Sequence, residues 1–387
     1  MFTIVIFFRC IFTHSLVVMI ISEADYLKLK VNEVRGRYVV HEHIQDFLNN
    51  LNPIFKVEEI GFSVEQKTIQ SITFGKGSKR ILMWSQMHGN ESTTTKAVLD
   101  FINLIQLQLK SIPNVLEECT FKIIPILNPD GAKAYTRSNA NKIDLNRDAQ
   151  DLSQPESRIL RNVYELFKPH YCFNLHDQRT IFNVGLTNKP ATVSFLAPAF
   201  DVDRNISSSR KESMLLIAAM NKTLQELIPG QVGRYDDAFN PNCVGDAFQM
   251  SDTPTILFEA GHFVNDYNRE QTRKLIFQAL VTAVQSITTD SAKNFSIADY
   301  HAIPENNKLF CDVLIKNVGS ISSVTKVHEQ VKILYKEVLE DDEILFVPTI
   351  VPSEASKTIQ FGHKVLDCEI MEDIEWLAEE RILELIN

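Results

Sequence analysis

The 387-residue chain predicts an α/β fold: a mixed, mostly parallel central sheet covered by helices on both faces, followed by a small β-rich C-terminal unit. Three observations carry that expectation. Short, nearly continuous apolar runs at 80–85, 121–127, 171–175 and 254–258 read as strands buried on both faces. Between and after them lie longer segments with apolar residues at helical spacing, at 94–110, 155–167, 207–227 and 268–286, and this alternation is the pattern of an α/β sheet. Beyond about Thr288 the helical pattern gives way to strand-like segments at 309–315, 324–335, 344–348 and 358–366, closed by an acidic helix over 371–386. The length exceeds one typical domain. The divisions expected are an apolar N-terminal segment (1–22), a main α/β domain (23–288) and a β-rich accessory domain ending in a helix (289–387).

Taken in order, residues 1–21 are apolar apart from Arg9 and His14. A signal peptide wants its positive charge ahead of the apolar run and small residues at the exit, whereas this run ends Ile20-Ile21-Ser22-Glu23. A membrane anchor and a true start at Met19 are the other readings. The compartment follows from that choice: cytoplasmic if translation starts at Met19, exported or anchored otherwise. Residues 24–50 predict helices packed on the sheet edge. Residues 55–74 alternate as strand and turn, and Lys76-Gly77-Ser78-Lys79 predicts a hairpin into the strand at 80–85.

Composition excludes several function classes. The net charge of -10 is spread along the chain without a lysine or arginine block, which disfavours nucleic acid as a partner. No lipid-anchor motif is present. The six cysteines have no CxxC spacing and read as reduced thiols, so thiolate metal ligation has no support.

The chemistry gathers at strand ends. His88-Gly89-Asn90-Glu91 follows the strand at 80–85 and sets an imidazole and a carboxylate three residues apart; His176 closes the run Tyr171-Cys172-Phe173-Asn174-Leu175. Two histidines and one glutamate form a ligand set that leaves a catalytic zinc a position for water, and strand ends are where open α/β sheets place their sites. On its own the HxxE pair is a weak signal, common on solvated surfaces. Here it has company: Asn128-Pro129-Asp130-Gly131, then Arg137, then Asp144-Leu145-Asn146-Arg147, and late in the chain Phe258-Glu259-Ala260-Gly261-His262.

In that set and order of motifs, residues from about 35 to 285 resemble the zinc carboxypeptidases of the carboxypeptidase A type. The resemblance implies one Zn²⁺ per chain held by His88, Glu91 and His176. It implies a substrate that is a peptide or acyl-amino acid with a free carboxylate. Glu259 becomes the general base, and its apolar strand argues for a raised carboxyl pKa. Asn146 and Arg147 match the pair that grips the terminal carboxylate. Arg137 falls where the family places an oxyanion-stabilising arginine, although only nine residues separate it from Asn146. Tyr235 is the one candidate for the family's mobile tyrosine, with Phe239 the other aromatic near that position. Plain surface or core roles remain the alternatives for Arg137 and Tyr235.

Asp177, Gln178 and Arg179 are candidates to orient the third ligand. His262, Asn128 and Asp130 read as structural. Substrate preference rests on which of Cys243, Val244, Asp246 and Phe248 faces inward. Asp246 would select basic side chains, Val244 and Phe248 apolar ones. Rival readings are a zinc amidohydrolase of the same superfamily, acting on N-acyl-amino acids or peptidoglycan stem peptides, and an inactive binding module.

Overall fold

The computed structural model describes residues 20–107, 112, 114–321, 330–352 and 358–386. The N-terminal apolar run therefore lies almost wholly outside the described residues, as does the first part of the strand expected at 324–335. In chain order the elements are α1 (Glu23–Leu29), α2 (His41–Asn49), β1 (Lys56–Phe62), β2 (Thr68–Gly75), β3 (Lys79–Trp84), α3 (Thr93–Gln106), α4 (Val115–Glu118), β4 (Cys119–Ile124) and α5 (Pro129–Ala134). Next come α6 (Pro155–Phe167), β5 (Tyr171–Asp177), β6 (Asn183–Val184), β7 (Val193–Leu196), α7 (Ser208–Leu227), β8 (Val232–Arg234), α8 (Val244–Met250), β9 (Thr255–Ala260), α9 (Glu270–Thr288) and α10 (Ile297–His301). The last strands are β10 (Asn306–Asn307), β11 (Phe310–Lys316), β12 (Gln330–Glu340), β13 (Glu343–Ile350) and β14 (Phe361–Asp367).

Eight strands form one sheet in the order β1-β2-β4-β3-β5-β9-β7-β8. The pairs β3–β4, β3–β5, β5–β9 and β7–β8 are parallel; the outer pairs β1–β2 and β2–β4, with β7–β9, are antiparallel. Alternation along β3 shows why its run is apolar throughout. Ile81 and Met83 enter one core with α3, α7 and α9, whereas Leu82 and Trp84 enter a second core with Leu160 of α6 and Phe248 of α8. The sheet is thus buried on both faces, as the sequence predicts.

Three expectations need correction. Residues 76–79 do not close a hairpin, because β4 inserts between β2 and β3 and pairs with both; the true hairpin is β1–β2. Residues 24–50 do not sit on the sheet edge as a whole. Helix α1 is tied to the helix layer, where Tyr26 donates to Asp100 Oδ2 at 2.9 Å and its ring meets Phe277 of α9 at 5.4 Å. The acidic helix expected at 371–386 is two helices, Met371–Glu379 and Leu383–Ile386, divided at Arg381 with φ 56°. A non-glycine residue in the left-handed region ends a helix there.

The C-terminal strands form their own sheet, in the order β13-β12-β11-β14. It is joined to the main body at several points. β10 pairs with β6, Arg37 forms an ion pair with Glu337 at 3.1 Å, and Tyr267 donates to Asp312 at 2.9 Å.

Candidate active site

The site assembles at the C-terminal ends of β3, β5 and β9. Register does much of the placing: His176 on β5 lies directly opposite Glu259 on the parallel neighbour β9, so both side chains leave the sheet on the same face. His88 and Glu91 come from the turn after β3. That turn is shaped before it arrives, with Gln86 at φ 43° and its amide donating to Val39 O and Gly89 O, both at 2.9 Å. Backbone held in this region costs energy and persists where the surroundings over-determine it. Gly89 then lies against Gly131: a Cβ on Gly89 would stand 1.9 Å from the Gly131 carbonyl carbon. The His-Gly-Asn-Glu motif thus packs its glycine on the Asn-Pro-Asp-Gly turn, whose own Gly131 has no room for a Cβ because it would stand 2.4 Å from Asn128 Nδ2 and 2.7 Å from Ser138 O. Asn128 caps α5 by accepting from Gly131 N at 2.8 Å, and Asp130 accepts from Ser63 Oγ at 2.8 Å, both structural as expected.

His88 Nδ1 stands 2.9 Å from Glu91 Oε1, His176 Nδ1 is 2.8 Å from Glu91 Oε2, and the two Nδ1 atoms are 3.0 Å apart. All three residues are buried, and their donor atoms lie within 4.8 Å of one another. Two imidazole nitrogens and a carboxylate converging on one point, in a buried pocket, are a donor set suited to a divalent cation such as zinc. Among the described residues no other cluster of this kind occurs.

Asp144 was not singled out by sequence as a site residue, yet its Oδ1 meets His88 Nε2 at 3.0 Å. It fixes the ring so that Nδ1 faces inward, the orienting contact that ligating histidines need. Its signal was its place two residues before Asn146. The same carboxylate anchors Arg137, whose Nε donates to Asp144 Oδ2 at 3.0 Å while Nη1 reaches Glu91 Oε1 at 3.2 Å.

Charge follows position. Burial pushes the Glu91 carboxyl up, but the facing His88 and His176 outweigh it and hold it below the usual range. Burial lowers both imidazoles, and Glu91 with Asp144 reverses this for His88 alone, because His176 has no second carboxylate. Glu259 is pushed well up by burial, then by the charges of Glu91 and Asp177, and its Oε2 has no hydrogen-bond partner among the described residues.

These groups line a cleft of about 600 Å³ together with Arg137, Asn146, Arg147, Arg179, Phe182 and Tyr235. Asn146 accepts from Val244 N at 3.0 Å, which leaves its amide NH₂ for a ligand, and among the described residues Arg147 donates only to Asn146 O, at 2.7 Å. Tyr235 and Phe239 both line the cleft. Burial and the charge of Glu259 raise the Tyr235 hydroxyl. Helix α8 decides what faces inward. Val244 and Phe248, one turn apart, enter the core beside Trp84, whereas Cys243, Gly245 and Asp246 line the cleft. Burial pushes Asp246 up to about 6.

The trio after His176 does not act as one group. Asp177 accepts from Thr93 N (2.9 Å) and Thr94 N (3.2 Å) at the start of α3, and Gln178 donates to Ser194 Oγ at 3.1 Å. Arg179 turns into the cleft. None of the three bonds His176 through its side chain among the described residues. His262 lies outside the cleft, buried against His363 with ring centroids 4.2 Å apart.

Residues 40–177 match the family described as zinc carboxypeptidase. Probable carboxypeptidase 2 of Trichophyton verrucosum is 28% identical over 115 residues, 29% of this chain and 21% of that protein. Gamma-D-glutamyl-L-diamino acid endopeptidase 1 of Lysinibacillus sphaericus is 33% identical over 92 residues, 22% of this chain and 23% of that one. The chain thus spans only about a fifth of the length of these curated relatives. The metallo-carboxypeptidase from Burkholderia cenocepacia superposes with a TM-score of 0.53 at 18% identity, covering 65% of this chain and 69% of that one. Carboxypeptidase A from Helicoverpa armigera gives 0.53 at 16%, covering 66% and 74%. At such identities these likenesses show the zinc carboxypeptidase fold.

Proposed function

We propose that the chain is a zinc-dependent metallocarboxypeptidase that hydrolyses the C-terminal peptide bond of a substrate with a free carboxylate. One observation carries the reading: Glu259, whose Oε2 has no hydrogen-bond partner among the described residues, opens onto the same cleft as the convergent His88, Glu91 and His176. Zinc held by that trio supplies a Lewis acid for the scissile carbonyl and lowers the pKa of bound water.

The remaining work falls to side chains. Glu259, kept basic enough by burial, takes the proton of the attacking water at Oε2 and passes it to the leaving amine. Arg147 and the free amide of Asn146 hold the terminal carboxylate. Arg137, anchored through Nε on Asp144, keeps its Nη atoms at the Glu91 edge of the cleft to stabilise the developing oxyanion. Tyr235 closes the cleft beside Glu259. Asp246 favours a lysine or arginine as the leaving residue.

A second reading, an amidohydrolase of the same superfamily, has support in the match to the Lysinibacillus endopeptidase. Incubation with peptides bearing free or amidated C termini, and with N-acyl-amino acids, separates the two by product mass. Stepwise loss of terminal residues from free-acid peptides alone is expected. Cleavage confined to acyl-amino acids would transfer the chain to the second reading.

A further inference from the structure

Four arginine and lysine side chains reach the cleft or its rim, and they are not equivalent. Arg137 is occupied by Glu91 and Asp144, and Arg147 belongs with Asn146 beside α8. Arg179 is different. It lines the cleft, is exposed, and has no hydrogen bond or ion pair among the described residues. The acids nearest in sequence or charge are engaged elsewhere. Asp177 is taken up by the start of α3, Asp236 faces Arg204 at 3.8 Å, and Glu337 pairs with Arg37, the more distant Arg179 adding only a weaker pull on its carboxylate.

Three residues on, Phe182 also lines the cleft, with its ring 5.3 Å from that of Tyr235. Over Phe182 stands Lys308, Nζ 5.8 Å from the ring centroid, exposed and likewise without an ion pair among the described residues. Lys308 is brought there by the pairing of β10 with β6, and the Asn183 carboxamide oxygen secures the next residue by accepting from Leu309 N at 3.2 Å. The β5–β6 connection therefore brings Arg179 and Phe182 to the same cleft, and the segment after β10 sets Lys308 over the Phe182 ring.

We propose that Arg179 and Lys308 form an acyl-side subsite that selects substrates carrying a free carboxylate on the residue immediately before the scissile bond. The inference rests on the carboxypeptidase reading, in which Arg147 and Asp246 already serve the leaving residue, so the wall around Phe182 receives the residue before it. A guanidinium supplies a planar pair of donors for a carboxylate, an ammonium a point charge, and an aromatic ring packs the intervening methylenes. The carboxylate has two chemical sources: the side chain of an α-linked glutamate or aspartate, or the α-carboxylate of a γ-linked glutamyl residue.

The test uses the full chain loaded with zinc and three acylated peptides ending in lysine, preceded by α-linked glutamate, by glutamine or by γ-linked glutamate. One of the glutamyl peptides is expected to exceed the glutamine peptide in kcat/KM by about tenfold, the selectivity of one charge-assisted hydrogen bond, carried mainly in KM. Which glutamyl peptide does so identifies the linkage. The double variant Arg179→Gln/Lys308→Gln brings the ratio to about one, and Arg179→Lys retains part of it. Equal turnover of all three peptides by the unaltered chain, or a ratio that survives the double variant, overturns the inference while leaving the carboxypeptidase reading intact. If no peptide is cleaved, that reading fails. Calorimetric affinities of the chelator-treated protein for the same uncleaved peptides then decide the subsite alone, equal affinities overturning it.

Discussion

Glu259 and Asp246 are both carboxylates raised by burial, yet they face different tasks, and each yields its own test. Glu259→Gln removes the proton acceptor while keeping shape, so kcat is expected to fall by about 10²–10⁴ with zinc stoichiometry unchanged. Loss of zinc together with activity would mean that the residue only supports the ligand cluster. Asp246, with its titration near 6, is ionised at neutral pH and neutral below it. The ratio of kcat/KM for lysine-ended over leucine-ended peptides is therefore expected to fall as pH drops through about 6. Asp246→Ala abolishes the ratio and its pH dependence; a surviving basic preference sinks this assignment. At this scale the sequence was most legible where a residue type stands at a fixed offset, as for His88 and Glu91, or closes an apolar strand, as for His176, three residues that the fold brings together. It was least legible for Asp144 and Arg179. Their partners lie 56 residues away or are a cleft wall, and no local spacing encodes either.

The turns and caps that carry the ligands depend on contacts between elements. Gly89→Ala would drive a methyl into the backbone at Gly131, where something must shift. The expected result is a loss of several-fold or more in zinc affinity with a lower Tm, because the turn holding His88 and Glu91 moves. Unchanged zinc affinity by competition with a chromophoric chelator would show that the turn can relax.

Glu270, at the first turn of α9, receives Lys30, Lys96 and Arg273 at 2.7, 2.6 and 3.2 Å. Burial raises its carboxyl, but these cations outweigh burial and bring it from 4.5 to about 2. Because the folded value is the lower one, the stabilisation is present above about 4.5 and is lost as pH falls towards 2. Glu270→Gln leaves Lys96 buried without its counter-charge and is expected to cost about 3 kcal/mol in urea unfolding at pH 7, with the difference from the unaltered chain shrinking below pH 4.5. A difference that stays constant into acid would contradict the electrostatic account.

Periodicity made β3, β5, β9 and the long helices readable. It misread 76–79 as a hairpin, because the insertion of β4 between β2 and β3 is a non-local choice. The break at Arg381 was missed for a different reason: the apolar pattern continues across it, and only the backbone at that residue departs from a helix.

The whole molecule couples its eight-stranded and four-stranded sheets through part-buried ties. Arg37 and Tyr135 both meet Glu337 of β12, and His363 of β14 meets Thr180 O at 2.7 Å, just beyond the third ligand. The C-terminal sheet thereby borders the segment that carries Arg179 and Phe182. Its β-rich character was legible from alternation after Thr288; its contact with the segment beside the cleft was not, since that depends on non-local pairings such as β10 with β6. Zinc binding should report on the same whole. With ligands drawn from β3 and β5 rather than one element, metal stabilises the assembled fold, and chelation is expected to lower Tm by on the order of 5–10 °C. A Tm indifferent to chelation and zinc return would place the metal elsewhere.

The measurement that meets the central claim most directly is turnover of a free-acid peptide as zinc is titrated into chelator-treated protein. Activity is expected to rise linearly and saturate at one zinc per chain, with no activity at any zinc level in His176→Ala or Glu259→Gln. Peptide hydrolysis that persists without metal, or that survives loss of His176, would contradict a catalytic centre built on His88, Glu91, His176 and Glu259.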